Sequence, residues 1–241
     1  MAKEWVVPDC IVEAMREPLR SYAELVKFIV VDRARALTLF GAITTSGFDA
    51  ARQTARSVLV MDRIDLALLR ALAAHGAKLG KAGIAAPLVM TPEYIKSSLD
   101  TFPLELIDIH QHHVTVFGEE YFDDLSFEDS HVRLQCEREL KVLLIGLRQG
   151  LLAAAGREKF IGALEMDVGQ GLMRTLRGLL WLKGHKKALQ TSEVLREIER
   201  VTERKLPGIR TALDTSGRHG WEEFETLYCD VEALGEIANA W

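Results

Sequence analysis

Apolar residues along the chain follow two patterns, and these patterns divide it into two halves. In the first half, short apolar runs bounded by turn residues predict buried strands. These runs are Ala36–Thr44, Ser57–Met61, Pro87–Met90, Phe102–Ile109 and Val114–Phe117. Helical spacing predicts helices at Ile11–Val31, with a break or bend near Pro18, at Asp62–Lys78, and from Thr91-Pro92 to about Leu99. Strands that alternate with helices indicate an α/β layer, and a tight turn near His112 is expected to join the last two strands.

The second half shows helical periodicity alone. The predicted helices are His131–Ala155, Lys159–Lys183, Ser192–Lys205 and Trp221–Trp241. On the first of them, Glu137 is expected to pair with Arg133 and Lys141, each four residues away. The acidic segment Asp123–Asp129 is interpreted as the junction between the two halves of the chain. The sequence therefore predicts an α+β protein with a small mixed sheet and flanking helices at residues 1–122 and an all-α helical bundle domain at 123–241.

Composition narrows the class of protein. A net charge of −5 argues against a general nucleic-acid binder, which is usually basic. The three cysteines, Cys10, Cys136 and Cys229, are odd in number and widely spaced, so we expect neither a disulfide framework nor a zinc ribbon. No stretch approaches the ~20 apolar residues of a membrane helix. These features predict a cytoplasmic protein without a membrane partner.

Four segments stand out: Leu39–Ala42 (LFGA), FPLELIDI, VFGEEYF and HVRLQCERELKVLLIGLRQGLL. Together they resemble a bacterial family of nucleotidyltransferase-like proteins with a helical carboxy-terminal domain. The resemblance covers roughly residues 30–240 and is strongest between Thr91 and Leu152. Enzymes of this polymerase-beta-type fold place Gly-Ser after the first strand, an acid-x-acid pair on the next strand, and a third acid on a later strand. The three carboxylates hold two divalent ions, which bridge the triphosphate.

This sequence departs from that pattern at the acid pair. Gly41-Ala42 stands where Gly-Ser is expected, and Ala55-Arg56-Ser57 stands where the acid pair is expected. The resemblance therefore implies nucleotide contacts at Gly41, Ala42 and Ser57, with no metal ligand assigned.

The third acid of the pattern falls in Phe102–Ile109. The resemblance implies that one of Glu105 and Asp108 is the remaining catalytic acid. In a regular strand they would point to opposite faces, so only one would face a cleft. Magnesium is expected as a cofactor only if the protein is active.

Four other groups of residues have both a chemical and a structural interpretation. His110 and His112 would share a strand face as a two-histidine metal arm, although a solvated turn is favoured. Asp62 and Asp65 are either displaced metal ligands or acids in the first turn of a helix, and the second is favoured. Gly76–Gly83 (GAKLGKAG) would cradle phosphate through Lys78 or Lys81, although a helix stop and turn is favoured.

The fourth group is a set of cations on the first long helix, where Arg133, Arg138 and Lys141 either line a groove between the domains or are solvated. The apolar position of Cys136 predicts a core residue, and Trp181 and Trp221 are expected in the core or at the edge of the bundle.

Three functional hypotheses follow. The favoured one is a degenerate, catalytically inactive protein with a binding or regulatory role, whose partner is a nucleotide or another protein. A second is an active metal-dependent nucleotidyltransferase that combines Glu105 or Asp108 with other acids such as Asp62. A third is a homo-oligomeric scaffold subunit.

Overall fold

The structure is a computed structural model that describes residues 11–45, 47–187, 191–214 and 220–241. The chain divides into two compact units. Among the described residues, the first unit contains 11–99 and 108–126, and the second contains 100–107 and 127–241. Each unit thus takes two segments of the chain, whereas the sequence analysis placed one boundary after residue 122. Cys10 lies outside the described residues.

The first unit is built on a mixed four-stranded sheet. In chain order, its elements are α1 (Glu13–Val30), β1 (Ala34–Phe40), β2 (Arg56–Met61), α2 (Leu66–Ala73), α3 (Gly76–Lys81), β3 (Leu88–Met90) and α4 (Pro92–Ser97). Helix α5 (Pro103–Gln111) divides between the two units, and β4 (His113–Gly118) completes the sheet. The strand order is β3-β2-β1-β4, with β1 antiparallel to both neighbours and β2 parallel to β3.

One face of this sheet packs against α1. The buried residues of α1 recur at helical spacing: Met15, Leu19, Tyr22, Ala23, Val26 and Val30. They form one core with Leu37 and Leu39 of β1 and with Leu59 and Met61 of β2. Pro18 lies inside α1. Burial of this apolar stripe, rather than helix propensity, is what holds α1 in place.

The prediction of a strand at Phe102–Ile109 is wrong, because these residues form most of α5. Leu104, Leu106, Ile107 and Ile109 are each only 1% exposed, so the segment is apolar on several sides. Such a segment shows no clear period, and periodicity alone does not separate a buried helix from a buried strand. The predicted hairpin turn at His112 is therefore also wrong.

Two further predictions in this unit are corrected. Asp62–Lys78 is not one helix, because α2 occupies only Leu66–Ala73 of this segment. Asp65 caps α2 by accepting a hydrogen bond from the amide of Ala67 over 2.9 Å. The segment Gly76–Gly83 is not only a stop and turn, because Gly76–Lys81 forms α3. The first strand also ends earlier than predicted, at Phe40, and a 3-10 turn follows it.

The second unit is a helical bundle. Its helices are α6 (Asp129–Ala154), α7 (Glu158–Leu182), α8 (Thr191–Thr202), α9 (Pro207–Leu213) and α10 (Trp221–Ala240). They enclose one apolar core, which includes Cys136 and Trp181 as the sequence predicts. Glu137 pairs with Arg133 over 2.9 Å and with Lys141, as the spacing also predicts, and Arg138 pairs with Glu139. In the described part of the chain, no helix is both long and apolar enough to cross a membrane.

Candidate functional site

The described strands of the first unit carry no carboxylate. The sequences of the four described strands are ARALTLF, RSVLVM, LVM and HVTVFG, and none of them contains Asp or Glu. The later strand beside β2 is β3. Its residues are Leu88, Val89 and Met90. The strands themselves therefore offer no side-chain oxygen that binds a divalent ion as a carboxylate does.

Neither face of β2 presents a carboxylate. Ala55 and Ser57 lie on the face that packs against α1, and they are 1% and 2% exposed. The opposite face carries Arg56, Val58 and Val60. A shift of the motif by one residue thus replaces Ala and Ser with Arg and Val, and neither register supplies an acid.

The Ser57 hydroxyl has a partner in the core. Its Oγ lies 3.0 Å from the hydroxyl of Tyr22 on α1, and Tyr22 is fully buried. Burial raises the pKa of Tyr22 to about 12, despite the opposing effect of the hydrogen bond with Ser57. The phenol is therefore neutral, and this pair contributes a buried hydrogen bond between α1 and β2.

The polar groups of the turn after β1 form hydrogen bonds within the protein. Gly41 has a φ of +74°, which favours glycine, and its amide donates to the carbonyl of His112 over 2.7 Å. The hydroxyl of Thr44 donates to the Gly41 carbonyl over 2.9 Å, and that of Thr45 donates to the Ala42 carbonyl over 2.8 Å. The Gly41 amide, for which the resemblance implies a nucleotide contact, is thus hydrogen-bonded within the protein.

Glu105 belongs to the second unit and is held there by two side chains. Nη1 of Arg174 donates to Glu105 Oε1 over 3.0 Å, and Nε2 of Gln135 donates to Oε2 over 2.8 Å. Gln135 is 4% exposed, and its Oε1 also accepts from the amide of Leu104. These contacts attach the start of α5 to α6 and α7. Asp108, three residues later on α5, belongs to the first unit and is buried.

Asp62 lies at the wrong end of the sheet to replace a missing acid. It follows β2, and Phe40 pairs with Arg56 at one end of the sheet whereas Ala34 pairs with Met61 at the other. Gly41 and Asp62 are thus separated by roughly 20 Å of strand. Asp62 pairs with Arg33 over 3.1 Å. Partial desolvation opposes its ionisation, but the hydrogen bonds from Arg33 and from the Arg63 backbone, together with the charges of Arg33 and Arg35, outweigh that effect and hold the pKa of Asp62 below its ordinary value.

The structure brings one histidine close to two acids that the sequence analysis did not select. Within the described residues, His113, Glu120 and Asp123 form a group whose potential ligand atoms all lie within 4.8 Å of one another. Nε2 of His113 is 3.1 Å from Glu120 Oε1 and 3.4 Å from Asp123 Oδ1. The alternative of a two-histidine arm on a strand does not form, because His110 lies on α5 and His112 precedes β4.

The carboxylate of Glu120 is fixed by its own loop. Its Oε1 accepts from the amides of Tyr121 and Phe122, each over 2.9 Å. Burial opposes ionisation of Glu120, but hydrogen bonds from Thr115 and from these amides, together with the charge of His113, outweigh it, and the pKa of Glu120 lies below its ordinary value. Sequence spacing gave no signal for this group, because the loop after β4 returns along that strand to reach His113.

A pocket of about 450 Å³ lies in the first unit beside α1. Its walls come from residues 50–54, from residues 80–83 and from α1 itself. Two cations line it, Arg52 and Lys81, and Lys81 is one of the two lysines of GAKLGKAG. The bridge between Ala55 and Ile84 places these two segments near the start of β2, at the same end of the sheet as Gly41.

A solved structure shares this architecture. It is that of spectinomycin adenyltransferase from Enterococcus faecialis with ATP and spectinomycin. The TM-score is 0.54 at 11% sequence identity, and the match covers 92% of this chain and 98% of that chain. The fold is nucleotidyltransferase-like. The predicted fold class is thereby confirmed, and the likeness at this identity shows the fold alone. No protein-family model and no curated protein matches the chain.

Proposed function

We propose that this protein is a catalytically inactive member of the nucleotidyltransferase-like fold that acts by binding. The observation that carries the proposal is the absence of Asp and Glu from all four described strands of the sheet. Nucleotidyl transfer of this type depends on two metal ions that stabilise both the attacking and the leaving oxygen. The four described strands lack the carboxylates that the resemblance implies as ligands of these ions, which supports the proposal.

The surroundings of the individual residues support the same proposal. The hydroxyl of Ser57 is hydrogen-bonded to that of Tyr22 in the core, and the Gly41 amide donates a hydrogen bond to the His112 carbonyl. Glu105 accepts hydrogen bonds from Arg174 and Gln135 in the second unit. Each of these contacts stabilises the fold and leaves the residue without an evident catalytic role. The active alternative would have to use acids outside the strands.

The ligand best matched to the first unit is a small anion, and a nucleotide belongs to that class. The pocket beside α1 is within the ordinary size range of ligand sites, and Arg52 and Lys81 give it positive charge. Arg52 also pairs with Asp49 over 3.7 Å, and its side chain is nevertheless largely exposed. In this proposal the cations of the pocket hold the ligand without any metal ion.

The test of inactivity is transfer of label from nucleotides. The protein is incubated with each α-labelled triphosphate, with Mg²⁺ or Mn²⁺, and with a heat-treated, filtered cell extract as the source of acceptors. We expect no labelled product above a blank without protein. Labelled product that disappears in Glu105→Gln or Asp108→Asn would overturn the proposal and establish the active alternative.

A second candidate function, a homo-oligomeric scaffold, is favoured by one surface. Four exposed apolar residues lie on one side of α6: Leu134, Val142, Ile145 and Leu152, with exposures of 59%, 58%, 53% and 80%. They extend over about five turns, roughly 27 Å of helix. Exposed apolar surfaces of this kind are typical of protein interfaces.

Mass measurement separates this candidate from a monomeric binding protein. If α6 joins two copies, the wild-type mass is twice 27.0 kDa, and Ile145→Glu reduces it to the mass of one chain. Phe28→Glu is the matched control, because Phe28 is an exposed apolar residue on α1 with an exposure of 82%. A single-chain mass for the wild-type protein at high concentration would exclude the scaffold.

A further inference from the structure

The group formed by His113, Glu120 and Asp123 lies on an edge of the sheet that the proposed function does not use. His113 is the first residue of β4 and pairs with Phe40, the last residue of β1. Because β4 is an edge strand, one side of it has no strand neighbour. The group is therefore next to the Gly41 turn but distinct from the strand positions of the missing acids.

The orientation of the His113 ring is set by the backbone. Its Nδ1 lies 2.9 Å from the carbonyl oxygen of Ile109 and 3.1 Å from that of His110. Both oxygens are acceptors, so Nδ1 carries a hydrogen and Nε2 is the atom that faces the two acids. The ring is nine-tenths buried, since only 6% of the side chain is exposed. Histidines that bind metals commonly donate the other ring N–H to a carbonyl in this way.

The facing atoms need a positive charge between them. In the neutral ring, Nε2 presents a lone pair, and Glu120 Oε1 and Asp123 Oδ1 present lone pairs to it at 3.1 Å and 3.4 Å. Three electron-rich atoms at these distances repel one another unless a proton or a metal cation lies among them.

The two separations measured from His113 Nε2, 3.1 Å and 3.4 Å, fit a metal cation. Zinc–ligand bonds to imidazole nitrogen and carboxylate oxygen are about 2.0–2.2 Å, so neighbouring ligands in tetrahedral or octahedral geometry are about 3.0–3.5 Å apart. Asp123 has 71% of its side chain exposed, so it can adjust its position and leave coordination sites for water or another ligand.

We propose that His113 Nε2 and the carboxylates of Glu120 and Asp123 bind one divalent transition-metal cation of the zinc type. A mixed nitrogen and oxygen ligand set selects such cations over Mg²⁺, which prefers oxygen ligands alone. The site does not depend on catalytic inactivity or on nucleotide binding.

The test is calorimetric titration of the metal-free, full-length protein with Zn²⁺, Co²⁺ and Mg²⁺ in the absence of nucleotide. We expect one Zn²⁺ per chain and much weaker binding of Mg²⁺. Asp123→Asn and Glu120→Gln should each weaken Zn²⁺ binding by about tenfold or more. Asp124→Asn is the matched control, because Asp124 is an exposed neighbouring acid, and it should leave the affinity unchanged.

The spectrum of the Co²⁺ complex identifies the ligands. Cobalt bound by nitrogen and oxygen shows only weak visible bands, whereas a thiolate ligand such as the exposed Cys229 adds a strong near-ultraviolet band. Absence of Zn²⁺ binding, a thiolate band, or equal affinities in wild type and both variants would each overturn the proposal. If Zn²⁺ does not bind, a proton alone lies between His113 and the acids. Circular dichroism confirms that the variants are folded.

Discussion

The hydroxyls of Ser57 on β2 and Tyr22 on α1 lie 3.0 Å apart in the core of the first unit. Ser57 is 2% exposed and Tyr22 is fully buried, so neither hydroxyl has ready access to water. The residue in the second position of the expected acid pair therefore faces a helix and lies inside the core. Its role as a nucleotide contact, like those of Gly41 and Ala42, stays a prediction.

Removal of only one hydroxyl of this pair should destabilise the first unit. In Ser57→Ala, the Tyr22 hydroxyl stays buried without its partner, at a cost of about 1–3 kcal/mol in the free energy of unfolding. In the double variant Ser57→Ala with Tyr22→Phe, both polar groups are gone and much of that loss should be recovered. Denaturant unfolding followed by circular dichroism measures both. Equal stability of Ser57→Ala and wild type would show that the pair does not form.

Insertion of an acid at Ser57 should disrupt the core and should not create a metal site. Ser57→Asp places a carboxylate among Leu59, Met61 and the apolar face of α1, where an unpaired charge is strongly unfavourable. We expect a protein that is unfolded or unfolds at much lower temperature. Arg56→Asp, at the exposed neighbouring position on the other face, is the control and should remain folded. A stable Ser57→Asp protein that binds Mg²⁺ would show that this face is open.

The ion pair between Glu105 and Arg174 should act in stability and not in nucleotide binding. Because 34% and 39% of the two side chains are exposed, solvent screens the pair, and Glu105→Ala should cost about 1 kcal/mol or less from this contact. The loss in Glu105→Ala with Arg174→Ala should be smaller than the sum of the two single losses. Glu93→Ala, on α4, is a control for the removal of an acid. Strictly additive losses would show that Glu105 and Arg174 do not interact.

Asp230 should make the stability of the second unit depend on pH. Its Oδ2 accepts from the amides of Gly208 and Ile209 over 2.7 Å and 3.1 Å, which joins α10 to the start of α9. Burial raises the pKa of Asp230 despite these two hydrogen bonds. The folded state then binds the proton more tightly than the unfolded state, so stability falls as pH rises from the ordinary pKa of about 3.9 through the folded value.

Two variants isolate the contribution of Asp230. Asp230→Asn keeps an acceptor oxygen and removes the buried charge, so its stability relative to wild type should increase as the pH rises through this window. Asp230→Ala leaves the two amides without an acceptor and should be destabilised by about 1–3 kcal/mol at all pH values. Thermal melts at several pH values test this. If wild type instead gains stability relative to Asp230→Asn as the pH rises, the prediction is contradicted.

Much of the fold follows from local signals in the sequence. The apolar stripe of α1, the apolar run of β2 and the paired charges of α6 were each predicted and are each present. Thr91 caps α4 by accepting from the Tyr94 amide over 3.1 Å, as a threonine before proline predicts. In α1 one face is buried and the helical period is clear, whereas β2 is an uninterrupted apolar run that is buried on both faces.

The candidate site was harder to predict because its residues are placed by longer-range structure. The segment around Glu105 and Asp108 is buried on several sides, so a helix was taken for a strand. His113 reaches Glu120 and Asp123 only because the loop after β4 turns back along that strand. The sequence analysis weighed His110 with His112 as a metal arm, favoured a solvated turn instead, and did not connect His113 with Glu120 and Asp123.

The most direct test of the central claim is calorimetric titration of the purified protein with ATP, CTP, GTP and UTP, each with and without Mg²⁺. Zn²⁺ and other transition metals are removed beforehand, so that the group around His113 does not contribute. If the sheet holds no metal–nucleotide site, Mg²⁺ should not strengthen binding of any nucleotide. Nucleotide binding that requires Mg²⁺ and is lost in Glu105→Ala or Asp108→Ala would contradict the account and restore an active nucleotidyltransferase.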